Sequence, residues 1–244
     1  MFAVFLTFKK WTAIYVLCLL GLFAGFAAIL WHGSAVNASK NIVLSGGGTV
    51  LIVDPGHGGE DGGAVSQDGT PESGINLAIA LRMKALAEFL GREVVLTRET
   101  DISLHGEDAR TLAEKKRQDL QNRAALCAGI ENGVLVSIHQ NSLPEFPDTS
   151  GAQVFYNGEG DSEALAQGLQ DALNQSVNLR AKTCRPMGDG VYLLEHAGCP
   201  AVLVECGFLS NPEETMRLKD PGYQTRLAFV VLAATMEHID SQAG

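Results

Sequence analysis

Positive charge is scarce in this sequence. The 244 residues contain 18 lysines and arginines against 28 aspartates and glutamates, which gives a formal net charge of -10. Such a protein repels phosphate, so a large nucleic-acid surface is excluded and we expect no nucleic-acid partner. The sequence has only 8 prolines and no repeat of a fixed period, which also excludes a collagen-like or repeat protein.

Cysteine is too sparse and scattered for a cysteine-based metal site. None of the five cysteines has the Cys-x-x-Cys spacing of a zinc knuckle or a redox pair. Cys127 and Cys206 lie in apolar runs, and we predict that both are buried free thiols. The sequence leaves open a disulfide between Cys184 and Cys199.

Long apolar runs are absent except for one near the N-terminus. The segment from Trp11 to Trp31 contains no charged residue and directly follows two lysines. A helix needs about 20 apolar residues to cross a membrane, and its positively charged flank stays cytoplasmic. We therefore predict a transmembrane anchor within residues 1–33, with a cleaved signal peptide as the alternative. Both interpretations export the rest of the chain to the outer face of the cytoplasmic membrane.

The remaining sequence divides into a linker and one domain. Residues 34–48 are small, polar and glycine-rich, as in a flexible linker. In residues 49–244, short β-branched runs alternate with longer amphipathic ones, which predicts an α/β domain. We expect an open, mainly parallel, twisted sheet of six strands with helices on both faces. Strands are predicted at 50–54, 93–97, 134–139, 152–156, 191–194 and 201–205, and helices at 72–90, 108–128, 162–177 and 223–239.

Histidines and acids lie at the ends of three predicted strands. The first strand runs into Asp-Pro-Gly-His57, the third into Ser-Ile-His139, and the last into Glu205. In α/β folds, ligands bind at the carboxyl ends of the strands. Glu72 begins the first helix, and two histidines with one glutamate are a ligand set of catalytic zinc sites. A phosphate-binding loop is disfavoured because no Gly-Lys-Ser/Thr follows the glycines near His57.

Two further acids have candidate roles at this edge. Glu205 ends a strongly apolar strand, and burial there would raise its pKa and suit it to proton transfer. The residues alone leave a plain ion-pair role for Glu205 equally open. Asp54 precedes His57 by three residues and is a candidate to hold the histidine ring by a hydrogen bond.

Several separated motifs resemble one enzyme family. They are VDPGHGGEDGGA (53–64), Glu72 with Asn76, LTRETD (96–101), SIHQNS (137–142) and VECGFLSNPEE (204–214). Over residues 49–239 the sequence resembles the zinc-dependent N-acetylmuramoyl-L-alanine amidases of bacterial cell-wall turnover. It is most similar to the short germination-type enzymes of the spore cortex, which have an N-terminal membrane segment and no wall-binding repeats.

The resemblance implies a reaction and its catalytic residues. His57, Glu72 and His139 match the zinc ligands of the family, and Glu205 matches its catalytic glutamate. The implied reaction hydrolyses the amide between N-acetylmuramic acid and the L-alanine of the stem peptide in peptidoglycan. In the spore cortex, this step precedes formation of muramic-δ-lactam.

The resemblance also suggests partners and alternatives. Asn141, Asn76 and Arg98 are candidates for binding substrate. A lipoprotein activator is an expected partner, and the catalytic domain is expected to be monomeric. The alternatives are a zinc peptidase that cuts within the stem peptide and a partner-dependent scaffold that binds the cell wall.

Overall fold

The computed structural model describes residues 48–188 and 190–242. In chain order the elements are β1 (Val50–Pro55), α1 (Glu72–Phe89), β2 (Val94–Leu96), α2 (Leu112–Ala128), β3 (Gly133–Asn141), β4 (Gln153–Tyr156), α3 (Ser162–Ser176), β5 (Arg185–Pro186), α4 (Tyr192–His196), β6 (Ala201–Phe208), α5 (Pro212–Lys219) and α6 (Pro221–Gln242). The predicted anchor and nearly all of the predicted linker lie outside these residues. Within the described ranges, no helix is long and apolar enough to cross a membrane.

The six strands form one mixed sheet in the order β2-β1-β3-β6-β4-β5. Strands β2, β1, β3 and β6 are parallel to one another, whereas β4 runs antiparallel to β6. Strand β5 pairs in parallel with β4 at the edge. The α/β class and the mainly parallel six-stranded sheet are thus confirmed.

Helices bury both faces of the sheet. Side chains along β1 alternate between two apolar clusters: Leu51 and Val53 face α1, α3 and α6, whereas Ile52 faces α2 and α4. Strands β3 and β6 show the same alternation, because successive side chains of a strand point to opposite faces. Burial on both faces explains why these strands are almost continuously apolar in sequence.

One predicted strand is wrong. The segment at 191–194 belongs to helix α4, and the sixth strand is instead the two-residue β5. Short apolar runs do not distinguish a strand from a buried helical turn. Leu193 and Leu194 are both buried in the cluster with α2, and adjacent residues can share one side in a helix but not in a strand. Gly198, with a φ of 67°, follows the helix.

Caps explain two differences from the predicted helices. Helix α2 begins at Leu112 because Thr111 and Glu114 form a capping box. Helix α5 was missed, although its sequence carries a start signal: Asn211 accepts hydrogen bonds from two backbone N–H groups, and Pro212 occupies the first turn.

The cysteines of the described chain are all free thiols. Cys127 and Cys206 are fully buried, as predicted from their apolar surroundings. The disulfide between Cys184 and Cys199 that the sequence left open is not formed.

A buried ion pair joins helix α2 to the carboxyl ends of three strands. Arg123 Nη1 lies 2.7 Å from Asp54 Oδ1, and both side chains are 1% exposed. The hydroxyls of Thr97 and Ser137 each donate to Asp54 at 2.6 Å, and Arg123 Nε donates to Asp119 at 2.8 Å. Burial alone would raise the pKa of Asp54, but Arg123 and the hydroxyl hydrogen bonds outweigh it and lower the pKa to about 2.

Asp54→Asn is expected to reduce the free energy of unfolding at pH 7 by about 3–5 kcal/mol, because it leaves Arg123 buried without its partner. Because the folded-state pKa of Asp54 is below its unfolded value, its contribution is full above about pH 4 and is lost as the pH falls towards 2. The difference between wild type and variant should therefore shrink by about 2 kcal/mol in acid. Urea denaturation of the wild type and the variant at a series of pH values measures this difference in the free energy of unfolding.

Asp240→Asn is the matched control, because Asp240 pairs with Arg92 at the surface. Exposed ion pairs contribute less than about 1 kcal/mol, so this variant should unfold almost like the wild type. An Asp54→Asn variant with the same stability as this control would contradict the role of the buried pair.

Candidate metal centre

The predicted site residues meet at the carboxyl edge of the sheet. His57 follows β1, Glu72 is the first residue of α1, His139 lies near the end of β3, and Glu205 lies in β6. His139 and Glu205 are paired in register on adjacent strands, so their side chains lie side by side. The alternation of the strands directs both towards α2 and α4.

Three of these residues form a group that could hold a metal ion. One ligand atom from each of His57, Glu72 and His139 lies within 4.8 Å of the others. His57 Nε2 is 3.3 Å from Glu72 Oε2, and His139 Nδ1 is 2.9 Å from Glu72 Oε1. The two rings stand edge to face with centroids 5.0 Å apart. Two nitrogens and one carboxylate oxygen fit the donor set of a catalytic zinc site.

Glu72 is held by the backbone around it. Its Oε2 accepts from the N–H of Ala64 at 2.9 Å, and its Oε1 accepts from the N–H of Gln140 at 3.0 Å. Asn76, one helical turn later, donates to Oε1 at 3.1 Å. Burial alone would raise the pKa of Glu72, but the hydrogen bonds and charges of His139 and the other histidine hold it far below its ordinary value. The carboxylate is therefore ionised, as a metal ligand must be.

Two glycines leave room for these side chains. A Cβ on Gly56 would lie 2.2 Å from the His139 ring, and one on Gly63 would lie 2.5 Å from Glu72 Oε2. His57 itself has a φ of 60°, a conformation that non-glycine residues adopt at a cost of about 1–3 kcal/mol. The glycine-rich loop thus allows the ligands to approach one another.

Asp61, rather than Asp54, holds the ring of His57. His57 Nδ1 lies 3.0 Å from Asp61 Oδ2, whereas Asp54 is occupied by the buried ion pair with Arg123. The predicted role of Asp54 is therefore wrong. Burial would lower the pKa of His57, but the hydrogen bonds to Asp61 and Glu72 raise it to about 9. A carboxylate on the second ring nitrogen fixes the orientation of a metal-ligating histidine.

Glu205 has an unsatisfied oxygen beside the histidines. Its Oε2 is buried and has no hydrogen-bond partner among the described residues. Burial raises the pKa of Glu205 to about 7, with the charge of His139 opposing this shift and that of Glu72 adding to it. An unpartnered buried carboxylate costs free energy unless a ligand satisfies it. A carboxyl group with this pKa can both accept and release a proton near neutral pH.

A cavity of about 290 Å³ lies over these groups. Its floor includes His57, His139 and Glu205, and its apolar wall is formed by α4 and the segment before it. Tyr192 in this wall stacks on His196 with ring centroids 4.0 Å apart. The sequence did not predict this wall, because residues 191–194 were predicted as a strand. A strand would place alternate side chains away from the site.

Two of the three predicted substrate-binding residues are buried. Asn76 is fully buried, and Arg98 is 2% exposed and donates to four backbone carbonyls, including that of Gly56. Neither side chain lines the cavity, and Asn141 at the end of β3 does not line it either. Asn76 and Arg98 support Glu72 and the loop that carries His57.

Comparisons with known proteins agree with the family that the sequence motifs indicate. A model of the N-acetylmuramoyl-L-alanine amidase family matches residues 51–235. The chain belongs to this family. The amidase is 36% identical over 182 residues to the germination-specific N-acetylmuramoyl-L-alanine amidase of Bacillus subtilis, in an alignment that covers 74% of this chain and 76% of that protein. The predicted enzyme class and the similarity to germination-type enzymes are confirmed.

Solved structures agree with this assignment. The CwlD amidase of Clostridioides difficile, solved in complex with the GerS lipoprotein, has 37% identity and a TM-score of 0.75, and the match covers 79% of this amidase and 99% of that chain. An N-acetylmuramoyl-L-alanine amidase from Clostridium difficile 630 has 28% identity and a TM-score of 0.68, and that match covers 80% of this chain and 99% of the other.

Gly56→Ala is expected to weaken zinc binding about 10–100-fold, because the added Cβ must displace the His139 ring. Zinc content after equilibrium dialysis, together with thermal unfolding, measures this. Gly74→Ala is the matched control, because Gly74 lies in α1 with no atom near the added Cβ. If Gly56→Ala retained the zinc affinity of this control, the steric argument would be refuted.

Proposed function

We propose that this amidase hydrolyses the amide between N-acetylmuramic acid and the L-alanine of the stem peptide in peptidoglycan, with zinc bound by His57, Glu72 and His139. The observation that carries the proposal is the buried, unpartnered oxygen of Glu205 beside this ligand group. A hydrolase needs a proton acceptor next to its water, and the site offers one at this position.

Bound zinc would supply Lewis-acid chemistry by polarising a carbonyl and lowering the pKa of a water molecule to about 7. Glu205 takes one proton from the attacking water as oxygen bonds to the lactyl carbonyl carbon. The same carboxyl group then gives that proton to the alanine nitrogen as the carbon–nitrogen bond breaks. The products are the lactyl carboxylate of the glycan and a peptide with a free amino terminus.

The other residues of the site hold the catalytic groups in position. Asp61 orients His57, and the backbone N–H groups around Glu72 keep its two oxygens directed at the two histidines. Asn141, half-buried at the end of β3, is proposed to contact the substrate beyond His139. Because the ligands rest on strands and a helix, their geometry is set before the substrate binds.

We also propose where this amidase acts and what kind of partner it binds. The catalytic domain, residues 49–244, acts outside the cytoplasmic membrane and is attached or exported by residues 1–33. Similarity to the germination-specific enzyme of Bacillus subtilis supports a role in the spore cortex, where removal of stem peptides precedes muramic-δ-lactam formation. The CwlD structure contains the GerS lipoprotein, which supports a lipoprotein partner for this chain. The domain itself is proposed to be monomeric.

Glu205→Gln is expected to retain zinc but to lose about 10²–10⁴-fold in activity, because the amide neither accepts nor delivers the proton. Activity is measured by mass spectrometry of fragments released from purified sacculi. Glu131→Gln, in the exposed loop before β3 at the opposite end of the sheet, should keep wild-type activity. Full activity in Glu205→Gln would refute the mechanism.

The same assay separates the two alternative functions. An amidase releases peptides that begin with L-alanine, whereas a peptidase that cuts within the stem releases shorter fragments. A wall-binding scaffold would bind sacculi equally well after chelation and release nothing. Loss of release upon chelation and its recovery with added zinc would support the proposed function.

A further inference from the structure

Acidic side chains outnumber lysine and arginine side chains in the lining of the cavity over the metal centre. Four acids line it, Asp54, Asp61, Asp119 and Glu205. The proposed substrate is itself acidic, because stem peptides carry free carboxylates on the leaving-group side of the scissile amide. Bound zinc would offset this negative charge at the scissile amide, but a carboxylate farther along the peptide would still need a cation near it.

Among the described residues, two lysine or arginine side chains line this cavity, and only one of them is exposed to solvent. Arg123 is 1% exposed and is neutralised by Asp54 and Asp119. Lys116 in α2 is 56% exposed, and its Nζ lies 3.3 Å from Asp61 Oδ2. Asp61 is shared with His57, and a lysine ammonium has three donors, so Lys116 keeps capacity for a second anion.

Lys116 also lies where the cavity continues. A neighbouring cleft of about 130 Å³ is formed between α2 and the loop after His57, and Lys116 and Asp61 line both spaces. The boundary between cavity and cleft is therefore marked by a single exposed ammonium group. A peptide that leaves the metal centre along this cleft passes Lys116.

The distances fit a carboxylate on the second residue of the peptide. Lys116 Nζ and His57 Nδ1 both contact Asp61 Oδ2, at 3.3 Å and 3.0 Å, so the two nitrogens are at most about 6 Å apart. An extended chain advances about 3.3–3.6 Å per residue, so the α-carboxylate of the second residue lies about 7 Å from the scissile amide. From this placement, and resting on the proposed function, we propose that Lys116 binds a carboxylate of the stem peptide and selects acidic stems over amidated ones.

The test uses two synthetic muramoyl dipeptides that differ only in a free α-carboxylate or a carboxamide on the second residue. The readout is the ratio of kcat/KM for the carboxylate substrate to that for the carboxamide. The wild type is expected to favour the carboxylate, and Lys116→Met is expected to reduce this ratio about tenfold. Lys219→Met is the matched control, because Lys219 pairs with Asp68 at the surface and lines neither the cavity nor the cleft. It should keep the wild-type ratio.

Other outcomes overturn the proposal. If Lys116→Met slowed both substrates equally, or lowered zinc content, Lys116 would act through Asp61 on His57 and not on the substrate. An unchanged ratio in Lys116→Met would exclude it from recognition. If the wild type cleaved neither dipeptide and released no peptide from sacculi, the proposed function itself would fail, and the two failures are thereby distinguished.

Discussion

The candidate site depends on keeping one carboxylate charged in the protein interior. Glu72 is 3% exposed, and transfer of an isolated carboxylate out of water costs several kcal/mol. Here the cost is offset by two histidines, two backbone N–H groups and Asn76. These partners come from the loop after β1, from α1 and from β3. The carboxylate is therefore satisfied only when those elements are correctly packed, which couples the metal site to the fold.

A second set of buried polar groups lies behind the first. Arg123 donates to the carbonyl of His57 at 2.8 Å, while Arg98 donates to the carbonyls of Pro55 and Gly56. These guanidinium groups satisfy a loop whose backbone turns sharply and therefore makes few regular hydrogen bonds. Because arginine offers several donors in a fixed plane, two side chains suffice to hold the loop. Arg98, a candidate for substrate binding in the sequence, thus supports the shape of the loop.

Much of this architecture could be predicted from local pattern, and the errors have physical causes. The parallel core strands were recognisable because burial on both faces makes them continuously apolar. The segment at 191–194 was misassigned because a short apolar run fits a strand and a helical turn equally well, and packing on α2 decides between them. Strand β5 is two exposed residues, Arg185 and Pro186, and exists only because the edge of β4 is available. No side-chain pattern predicts a strand of two exposed residues.

The sequence by itself identified the four residues of the candidate site, since His57, Glu72, His139 and Glu205 all lie in recognisable motifs. Tertiary structure alone decided which neighbouring side chains hold these residues in place. Asp54 and Asp61 are the same residue type and lie three and four residues from His57 along the chain, yet Asp54 pairs with the buried Arg123 and Asp61 with the histidine ring. The direction of a side chain depends on strand register and on the left-handed turn at His57, and neither can be read from residue type.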